Sequence, residues 1–424
     1  MPVPARAWVV TGAGTAVNLC LGILYGWSVW KAALVPADAS LHGQPMTGLN
    51  AGWTYLDNFE GAVAYSVCGI TFALFMIPGG RLQDRYGAKI GATLGGLFLA
   101  AGCILAGLMK SFEGLVLGFG VLGGIGMGLG YAAATPAAVK WFHSSRRGLV
   151  VGLVVAGYGA AAVYISPLAD FLIANYGLTG SFVGLGVLFA VVVVVARQLL
   201  NPPPPGYVAD APPGRGPTAA APVSPAAHDF PARQMLRTWQ FYALVLLFVG
   251  SAQSGLLVIS NAKSFLTDAA GKTGFAAENA WLLVTFIGVV NAVGRVGTGR
   301  YSDRVGRLNA YALNGLVSAA CLLAAPWVLA GKNVLVLFAI IGVMAWQYGG
   351  TLAVMPAVTA DYYGPKNLGL NYGLVFVGWG VAFFVPLLAG YIRKETGSWD
   401  GAFYLSAGLL VSAVAVSRVV RKPV

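Results

Sequence analysis

Twelve long apolar runs constrain the fold of this chain more than any other feature of its sequence. An α-helix needs about 20 apolar residues to cross the ~30 Å hydrocarbon core of a bilayer, and every run reaches that length. Only 9% of the residues are charged, whereas soluble domains carry about 25%. We therefore predict an all-α membrane protein with 12 transmembrane helices in two six-helix halves. The runs are predicted at 7–31, 53–79, 88–109, 113–139, 147–173, 179–200, 238–264, 277–299, 308–330, 333–360, 367–391 and 399–419.

A proline-rich stretch separates the first six runs from the last six. Residues 201–236 include four consecutive prolines from Pro202 to Pro205, and sequence of this kind does not bury a core. The predicted division is an N-terminal half at 1–200, a cytoplasmic linker at 201–236 and a C-terminal half at 237–424. Lys and Arg are concentrated in the loops on the side of the termini, which predicts cytoplasmic termini in a plasma (inner) membrane. This topology accounts for the net charge of +12 without nucleic-acid binding.

Three short segments recur at a nearly constant offset of 219 to 221 residues, which indicates an internal repeat. Two six-helix halves in parallel repeat place a substrate site between them, near the middle of the membrane. The pairs are Gly80–Gly87 with Gly299–Gly306, Thr135–Ala137 with Met355–Ala357, and Gly157–Gly159 with Gly378–Gly380.

The repeated G-x-x-x-D-R-x-G segments, predicted as loops after helices 2 and 8, resemble the signature of the major facilitator superfamily. The duplicated six-plus-six layout matches that family over essentially the whole chain. The resemblance implies the major facilitator fold. It also implies that Asp84, Arg85, Asp303 and Arg304 are gate or scaffold residues, whose charged pairs hold the cytoplasmic side closed when the cavity faces outward.

One arginine lies inside an apolar run. Arg295 falls in the run that opens at Trp281, and an arginine in hydrocarbon costs at least a few kcal/mol, so such residues normally face the bundle interior or a wet cavity. Asn291, one turn earlier on the same face, supplies a donor and an acceptor. This pair suits a small carboxylate. The alternatives are that Arg295 snorkels into the cytoplasmic gate beside Gly299 and that Asn291 makes a plain interhelical hydrogen bond.

A finer resemblance concerns the substrate. The segments Tyr25–Trp30, Gly157–Gly159, Asn291–Arg295 and Asn371–Gly373 look like the branch that holds oxalate:formate antiporters and monocarboxylate transporters. The resemblance implies that Arg295 binds a substrate carboxylate.

Two departures from that branch affect the chemistry. The oxalate carriers have a second cation, a lysine, where this chain has Trp379, which argues against a dianion and for a monocarboxylate. Animal monocarboxylate transporters have an aspartate where this chain has Asn291, so a role for that position in handling protons is open.

Aromatic side chains on the cavity-lining helices are expected to complete a substrate pocket, since Tyr and Trp offer both an apolar wall and a polar group. Among them, Tyr348 and Trp379 match cage positions in the oxalate carriers. The alternative is that each only packs between helices or lies in an interfacial belt. The candidates are Tyr25, Tyr131, Tyr158, Tyr348 and Trp379.

Three charged residues near the outer helix ends are candidates for proton coupling. Lys31 ends helix 1 and could draw anions into an outward-facing cavity, or it could be a snorkelling interfacial lysine. Asp57 and Glu60 open helix 2, and two close carboxylates raise one another's pKa, so that one could hold a proton near neutral pH. The alternative for this pair is an exposed acidic loop.

The function favoured by these residues is symport of a small monocarboxylate, such as lactate or pyruvate, with a proton. The alternatives are an anion exchanger of oxalate/formate type and a membrane carboxylate sensor that does not transport. No paired acid and base, metal cluster or nucleophile elbow is evident in the sequence, so neither an enzyme nor a cofactor or metal is expected. The expected partners are the monocarboxylate, the proton and the lipid bilayer, and the expected oligomeric state is a monomer.

Overall fold

The computed structural model describes residues 4–142, 144–204, 207, 229–271, 275, 279–364 and 367–423. Long helices make up nearly all of this part of the chain, and we number them α1 to α12. They are α1 (Ala5–Leu34), α2 (Asn58–Tyr86), α3 (Ala88–Met109), α4 (112–139), α5 (144–176), α6 (178–199), α7 (Trp239–Ala270), α8 (Trp281–Val305), α9 (Arg307–Ala330), α10 (Val334–Tyr363), α11 (368–396) and α12 (Asp400–Val419).

Eleven continuous helical segments among the described residues are long and apolar enough to cross a bilayer. One of them contains two crossings. Its span at 152–199 covers 48 residues, or about 72 Å at ~1.5 Å per residue, more than twice the ~30 Å that one crossing requires. Gly177, with φ 70°, separates α5 from α6 inside this segment. The twelve-helix, all-α prediction is therefore confirmed.

Twelve crossings bring both chain termini to one face of the bundle, which we call the terminal face; the other is the distal face. The first half packs on the second through α1, α2 and α5, which meet α7, α8 and α11. On the distal face, the loop between α1 and α2 is closed by an isolated antiparallel bridge between Pro45 and Thr54.

Irregular backbone interrupts the helices that line the centre of the bundle. Residues Gly22–Gly26 of α1 form a 3₁₀ segment, and α11 breaks between Val381 and Phe384. In α1 the close approach of α5 requires glycine, because a Cβ atom on Gly22 would lie 2.3 Å from the Cβ of Ala161. Non-helical backbone at membrane depth is tolerated where it is buried in protein or lines a cavity, and here it carries Tyr25.

The repeated segments at Gly80–Gly87 and Gly299–Gly306 are not loops, and that prediction is wrong. α2 continues to Tyr86 and α8 to Val305. Only the last glycine of each segment leaves the helix, with φ 83° at Gly87 and 91° at Gly306. Arg suits a last helical turn, where a cation interacts favourably with the helix dipole, and the left-handed conformation that ends the helix favours glycine.

At both ends of the predicted linker, the described residues contact the ends of neighbouring helices. The indole Nε1 of Trp141 donates to the carbonyl of Asn201 (2.8 Å). The carbonyl of Phe230 accepts from the side-chain amide of Asn371 (2.9 Å), and the Phe230 ring packs on Tyr363 with centroids 5.6 Å apart. Most of the proline-rich stretch between these ends lies outside the described residues.

Candidate functional site

Arg295 lies at the contact between the two halves. Its Nε donates to Asn291 Oδ1 (3.2 Å), one terminal nitrogen donates to the carbonyl of Val155 on α5 (3.5 Å), and the other donates to the Tyr25 hydroxyl on α1 (3.3 Å). The side chain is half-buried. No carboxylate lies within ion-pair distance of it among the described residues. A guanidinium has five N–H groups, and the Tyr131 hydroxyl is a further hydrogen-bond partner of Arg295, so at least one N–H remains that can bind an anion.

A chain of hydroxyl and indole groups continues from Arg295 into the bundle. The hydroxyls of Tyr25 and Tyr348 lie 3.0 Å apart, and Trp379 Nε1 donates to the Tyr348 hydroxyl (2.9 Å). One hydroxyl proton serves the bond between the two tyrosines, and the other has no acceptor among the described residues. All three side chains are at most 3% exposed. The site is therefore rich in donors and lacks an anionic acceptor.

Asn291 orients the guanidinium from one turn away on α8. Its Oδ1 accepts from Arg295, and its Nδ2 has no partner among the described residues although the residue is 1% exposed. A buried amide without a partner costs about 1–3 kcal/mol. The backbone of α10 passes very close, because a Cβ on Gly349 would lie 2.1 Å from the Asn291 carbonyl. Asn291 thus fixes Arg295 and leaves one buried donor beside it.

Edge-to-face rings form the wall of the site on the first half. Tyr25 packs on Tyr158 with centroids 5.2 Å apart, and Tyr131 packs on Tyr158 at 5.3 Å. Phe72 of α2 joins this group to the second half, since it contacts both Tyr131 (5.6 Å) and Trp379 (5.0 Å). The structure therefore brings together all seven residues predicted for substrate binding. They are Tyr25, Tyr131, Tyr158, Asn291, Arg295, Tyr348 and Trp379.

The repeated Gly-aromatic-Gly segment of α5 places Tyr158 in this wall. A Cβ on Gly157 would lie 2.6 Å from the carbonyl of Thr15 on α1, so this glycine allows the two helices of the first half to touch. Gly159 faces the other half, where the Arg295 guanidinium carbon would lie 3.5 Å from its Cβ. The Arg295 guanidinium therefore packs against the backbone of α5 at Gly159.

The equivalent segment of α11 repeats this arrangement from the other half. A Cβ on Gly378 would lie 2.6 Å from the carbonyl of Val245 on α7, and one on Gly380 would lie 2.4 Å from the Cβ of Ala73 on α2. Between them Trp379 faces the centre. The two segments therefore present Tyr158 and Trp379 to one shared space.

On the distal face, polar contacts join the two halves. Lys31 of α1 is 1% exposed and donates to Asn261 Oδ1 of α7 (2.6 Å). Its ammonium also lies 5.4 Å from the centre of the Trp399 ring. Lys263 of α7 pairs with Asp170 of α5. These contacts close the bundle on this face, and Lys31 is buried among them rather than exposed at the interface.

The predicted carboxylate pair, Asp57 and Glu60, caps α2. Asp57 Oδ1 accepts from the Glu60 backbone N–H (2.8 Å), and Glu60 Oε2 accepts from the Asp57 backbone N–H (2.9 Å), which is a capping box. Asp57 also pairs with Lys394 of α11 (2.8 Å). Partial burial raises the pKa of Asp57, but the hydrogen bonds from Lys394 and the backbone lower it further, to below its ordinary value. The raised pKa expected from two close carboxylates is therefore wrong for Asp57.

The predicted gate residues lie on the terminal face. Asp303 pairs with Arg307 (2.5 Å), and Arg307 reaches Asp361 of α10 (3.9 Å), so the ion pairs described there join elements of the second half. Arg85 is exposed, with its guanidinium 5.3 Å from the centre of the Tyr86 ring, and Arg304 is exposed. The Asp84 side chain lies outside the described part of the chain.

Sequence reasoning missed Tyr372 as a member of the site. It lies on α11 and is half-buried, its ring stacks on Phe248 with centroids 6.4 Å apart, and it interacts electrostatically with Arg295 and Tyr131. The tripeptide Asn371–Gly373, which carries part of the family resemblance, contains this residue. Tyr372 lies seven residues, or about two helical turns, before Trp379, and this spacing predicts that the two side chains share a face.

Comparisons with known proteins agree with this architecture. A sequence profile of the Major Facilitator Superfamily matches residues 21–347 and 268–424. An uncharacterized MFS-type transporter of Escherichia coli, YhjX, is 28% identical over 88% of this chain and 85% of its own length. The oxalate:formate antiporter of Oxalobacter formigenes is 26% identical over 81% and 78%. Human monocarboxylate transporter 11 is 28% identical over 96% and 81%. These relatives confirm the branch indicated by the sequence motifs.

Solved structures show the same fold at low sequence identity. A D-xylose-proton symporter superposes with a TM-score of 0.70 at 15% identity, over 98% of each chain. A bacterial homologue of the human lysosomal transporter Spinster, in an inward-facing and unoccupied conformation, superposes with a TM-score of 0.65 at 17% identity, over 99% of this chain and 96% of its own. With the profile match over most of the chain, these findings show that the protein is a multi-pass membrane transporter of the Major Facilitator Superfamily.

Proposed function

We propose that this transporter moves a small monocarboxylate of the lactate or pyruvate type in symport with a proton. The observation that carries the proposal is Arg295. It is held between the two halves by neutral hydrogen-bond partners, and it has no carboxylate partner among the described residues.

The substrate carboxylate would take the place of the missing acceptor. Its oxygens would accept from the terminal N–H groups of Arg295, in the paired geometry that arginine favours with carboxylates, and would replace the weaker neutral partners there. The spare hydroxyl proton of the Tyr25–Tyr348 pair and the free Nδ2 of Asn291 are further donors beside Arg295. The aromatic rings around Tyr158 would cover the short carbon chain of the substrate.

The single cation supports a monoanion over a dianion. Arg295 and one carboxylate together are neutral, which limits the charge that crosses the membrane core. Trp379 occupies the α11 position where the resemblance implies a lysine in oxalate carriers. Its Nε1 donates a hydrogen bond to the Tyr348 hydroxyl. Relatives of both kinds, an oxalate:formate antiporter and monocarboxylate transporters, make exchange the alternative for the experiment to exclude.

Alternating access would proceed by opening the distal face. The contacts of Lys31, Lys263 and Asp57 across the halves hold that face closed in this conformation. With cytoplasmic termini in an inner membrane, as the positive-charge bias predicts, this is the state that is closed to the outside. Lys31 is the leading candidate for coupling to the proton, since it is buried between the halves with an amide, rather than a carboxylate, as its acceptor. Asp57 and Glu60 would contribute to proton coupling through their capping box and through the ion pair between Asp57 and Lys394.

Uptake into proteoliposomes tests this proposal. Purified protein would be reconstituted, and accumulation of labelled L-lactate would be measured with an inward proton gradient, without it, and with an uncoupler. We expect accumulation that requires the gradient and collapses with the uncoupler. Absence of lactate uptake together with counterflow of labelled oxalate against internal formate would show an exchanger instead. Saturable lactate binding without uptake of either anion would show a sensor.

A further inference from the structure

A cleft of about 560 Å³ opens on the second half, between α8, α9 and α10. Phe286 and Tyr301 line it along α8, Leu313 and Val317 along α9, and Trp346 along α10. Leu313 is 57% exposed and Val317 is 47% exposed. Because these apolar side chains are at the outer surface of a membrane-spanning bundle, the cleft opens toward the lipid.

The internal repeat shows that this cleft is specific to the second half. Asn314 on α9 and Trp346 on α10 correspond, at offsets of 219 and 220, to Gly95 on α3 and Gly126 on α4. A Cβ on Gly95 would lie 2.7 Å from the carbonyl of Gly126. The first half is therefore closed by backbone contact at this place, whereas the second half carries side chains, Asn314 and Trp346, at both equivalent positions.

Polar groups are confined to one end of the cleft. Asn314 accepts a hydrogen bond from the Tyr301 hydroxyl and donates to Thr298 Oγ1 (3.1 Å). Tyr301 lies 15 residues after Phe286, or about 22 Å along α8 at ~1.5 Å per residue. Along α8, the cleft from Phe286 to Tyr301 is therefore longer than the ~15 Å hydrocarbon depth of one leaflet. The polar end is the one near the terminal face, where α8 ends at Val305.

Two arginines continue from this polar end toward the membrane surface. Arg304 follows Tyr301 by one turn on the same side of α8, and Arg300 follows Val296, which is 68% exposed to the lipid side. Both arginines are exposed, and neither makes an ion pair among the described residues, whereas the neighbouring Asp303 is paired with Arg307. Two unpaired cations at the mouth of an apolar cleft complement an anionic lipid headgroup.

We propose that this cleft binds one anionic phospholipid of the surrounding bilayer. One acyl chain lies in the apolar part between Phe286 and Trp346, the glycerol region meets the Tyr301–Asn314 pair, and the phosphate is bound by Arg300 and Arg304. This site is distinct from the Arg295 site and does not depend on the substrate proposed above.

Native mass spectrometry of the detergent-solubilised protein tests the site, with phosphatidylglycerol or phosphatidylcholine added at matched concentrations. Ala339→Phe fills the cleft from α10, where Ala339 is an exposed lining residue. The matched control is Ala101→Phe, an exposed alanine on α3 of the first half. We expect one phosphatidylglycerol to be retained by the native chain and by Ala101→Phe, and to be lost from Ala339→Phe. Equal retention by all three proteins would overturn the site.

The headgroup assignment has its own test. The double variant Arg300→Gln with Arg304→Gln should retain phosphatidylglycerol about fivefold less well for each arginine removed, while its weak retention of phosphatidylcholine stays unchanged. Equal losses of both lipids would contradict the assignment. A dimer in the native chain that Ala339→Phe dissociates would show that a second protein copy, and not a lipid, covers the cleft. Gel filtration and melting temperature of each variant control for folding.

Discussion

Helices α2 and α8 occupy equivalent places in the two halves, and their difference locates the chemistry of this transporter. At the repeat offset of 219 residues, Asn291 and Arg295 of α8 correspond to Phe72 and Met76 of α2. Phe72 is 1% exposed and packs on aromatic rings from both halves. Arg295 makes hydrogen bonds across the halves instead. At these equivalent positions α2 therefore contributes an apolar wall and α8 contributes the cation.

The asymmetry has a consequence for the substrate. A pocket with an apolar wall on α2 and one cation on α8 suits a molecule with one charged end and a small apolar part. A second cation would suit a dianion.

Loss of the cation should have the largest effect. In Arg295→Gln, we expect kcat/KM for L-lactate uptake to fall about 100-fold, since two hydrogen bonds to a charged group together contribute ~3 kcal/mol. The control is Arg237→Gln, which removes an exposed arginine beside the linker and should leave uptake within about twofold. Full uptake by Arg295→Gln in proteoliposomes would show that the substrate does not use this side chain.

Addition of a second cation should change the preferred anion. Trp379→Lys places an ammonium beside Tyr348, and we expect the preference for oxalate over lactate to rise about tenfold. That factor corresponds to ~1.4 kcal/mol, a part of the ~4 kcal/mol between unit charges about 4 Å apart at an effective dielectric constant of ~20. Inhibition of lactate uptake by oxalate measures it. Trp379→Met, which loses the same hydrogen bond without adding charge, should not show the gain.

Removal of single hydroxyls should separate the tyrosines that contact the cation from those that only pack. Tyr25→Phe loses the acceptor of an Arg295 N–H, and we expect KM for lactate to rise about fivefold, the factor for ~1 kcal/mol. The matched variant is Tyr158→Phe. The Tyr158 hydroxyl bonds only to the Met127 sulfur at 3.7 Å within the described residues, so its KM should stay within about twofold. Equal effects would refute this distinction.

The ion pair that closes the distal face should have the smallest effect. Asp57→Asn keeps a good N-cap but loses the charge that pairs with Lys394, whose side chain is 45% exposed. An ion pair this exposed contributes at most ~1 kcal/mol to the free energy of unfolding.

The pH dependence of that effect has a defined sign. The folded-state pKa of Asp57 lies below its ordinary value, so its ionised form stabilises the fold above the unfolded-state pKa of about 3.9. This contribution is lost as the pH falls through the folded-state value. We therefore expect Asp57→Asn to melt at a lower temperature than the native chain at pH 7, and the difference to shrink toward pH 3. A constant difference would contradict the ion-pair explanation.

The sequence allowed the fold and the members of the site to be predicted because both leave local patterns. Apolar length identifies the helices, and an arginine inside an apolar run normally faces the bundle interior or a wet cavity. The pairing of side chains far apart in the chain has no such pattern. The Tyr25 and Tyr348 hydroxyls meet across 323 positions, and only the packed helices reveal it.

Two local patterns admit more than one interpretation. Asp57 and Glu60 have the spacing of a capping box, and the pKa of Asp57 is lowered rather than raised, as a pair of interacting acids would predict. The position of Lys31 at a helix end predicts either a cation that draws anions into an outward-facing cavity or a lysine that snorkels to the interface. The structure buries it against Asn261, a partner 230 positions away in the other half.

Equilibrium binding of L-lactate, measured by isothermal titration calorimetry on purified protein, tests most directly whether Arg295 is the substrate ligand. The native chain, Arg295→Gln and Arg237→Gln would be compared at one pH, after gel filtration has shown that all three are folded. We predict saturable binding to the native chain and Arg237→Gln, and a dissociation constant at least about 50-fold higher for Arg295→Gln. An unchanged dissociation constant in an Arg295→Gln protein that no longer transports would contradict the account, because Arg295 would then be part of the gate.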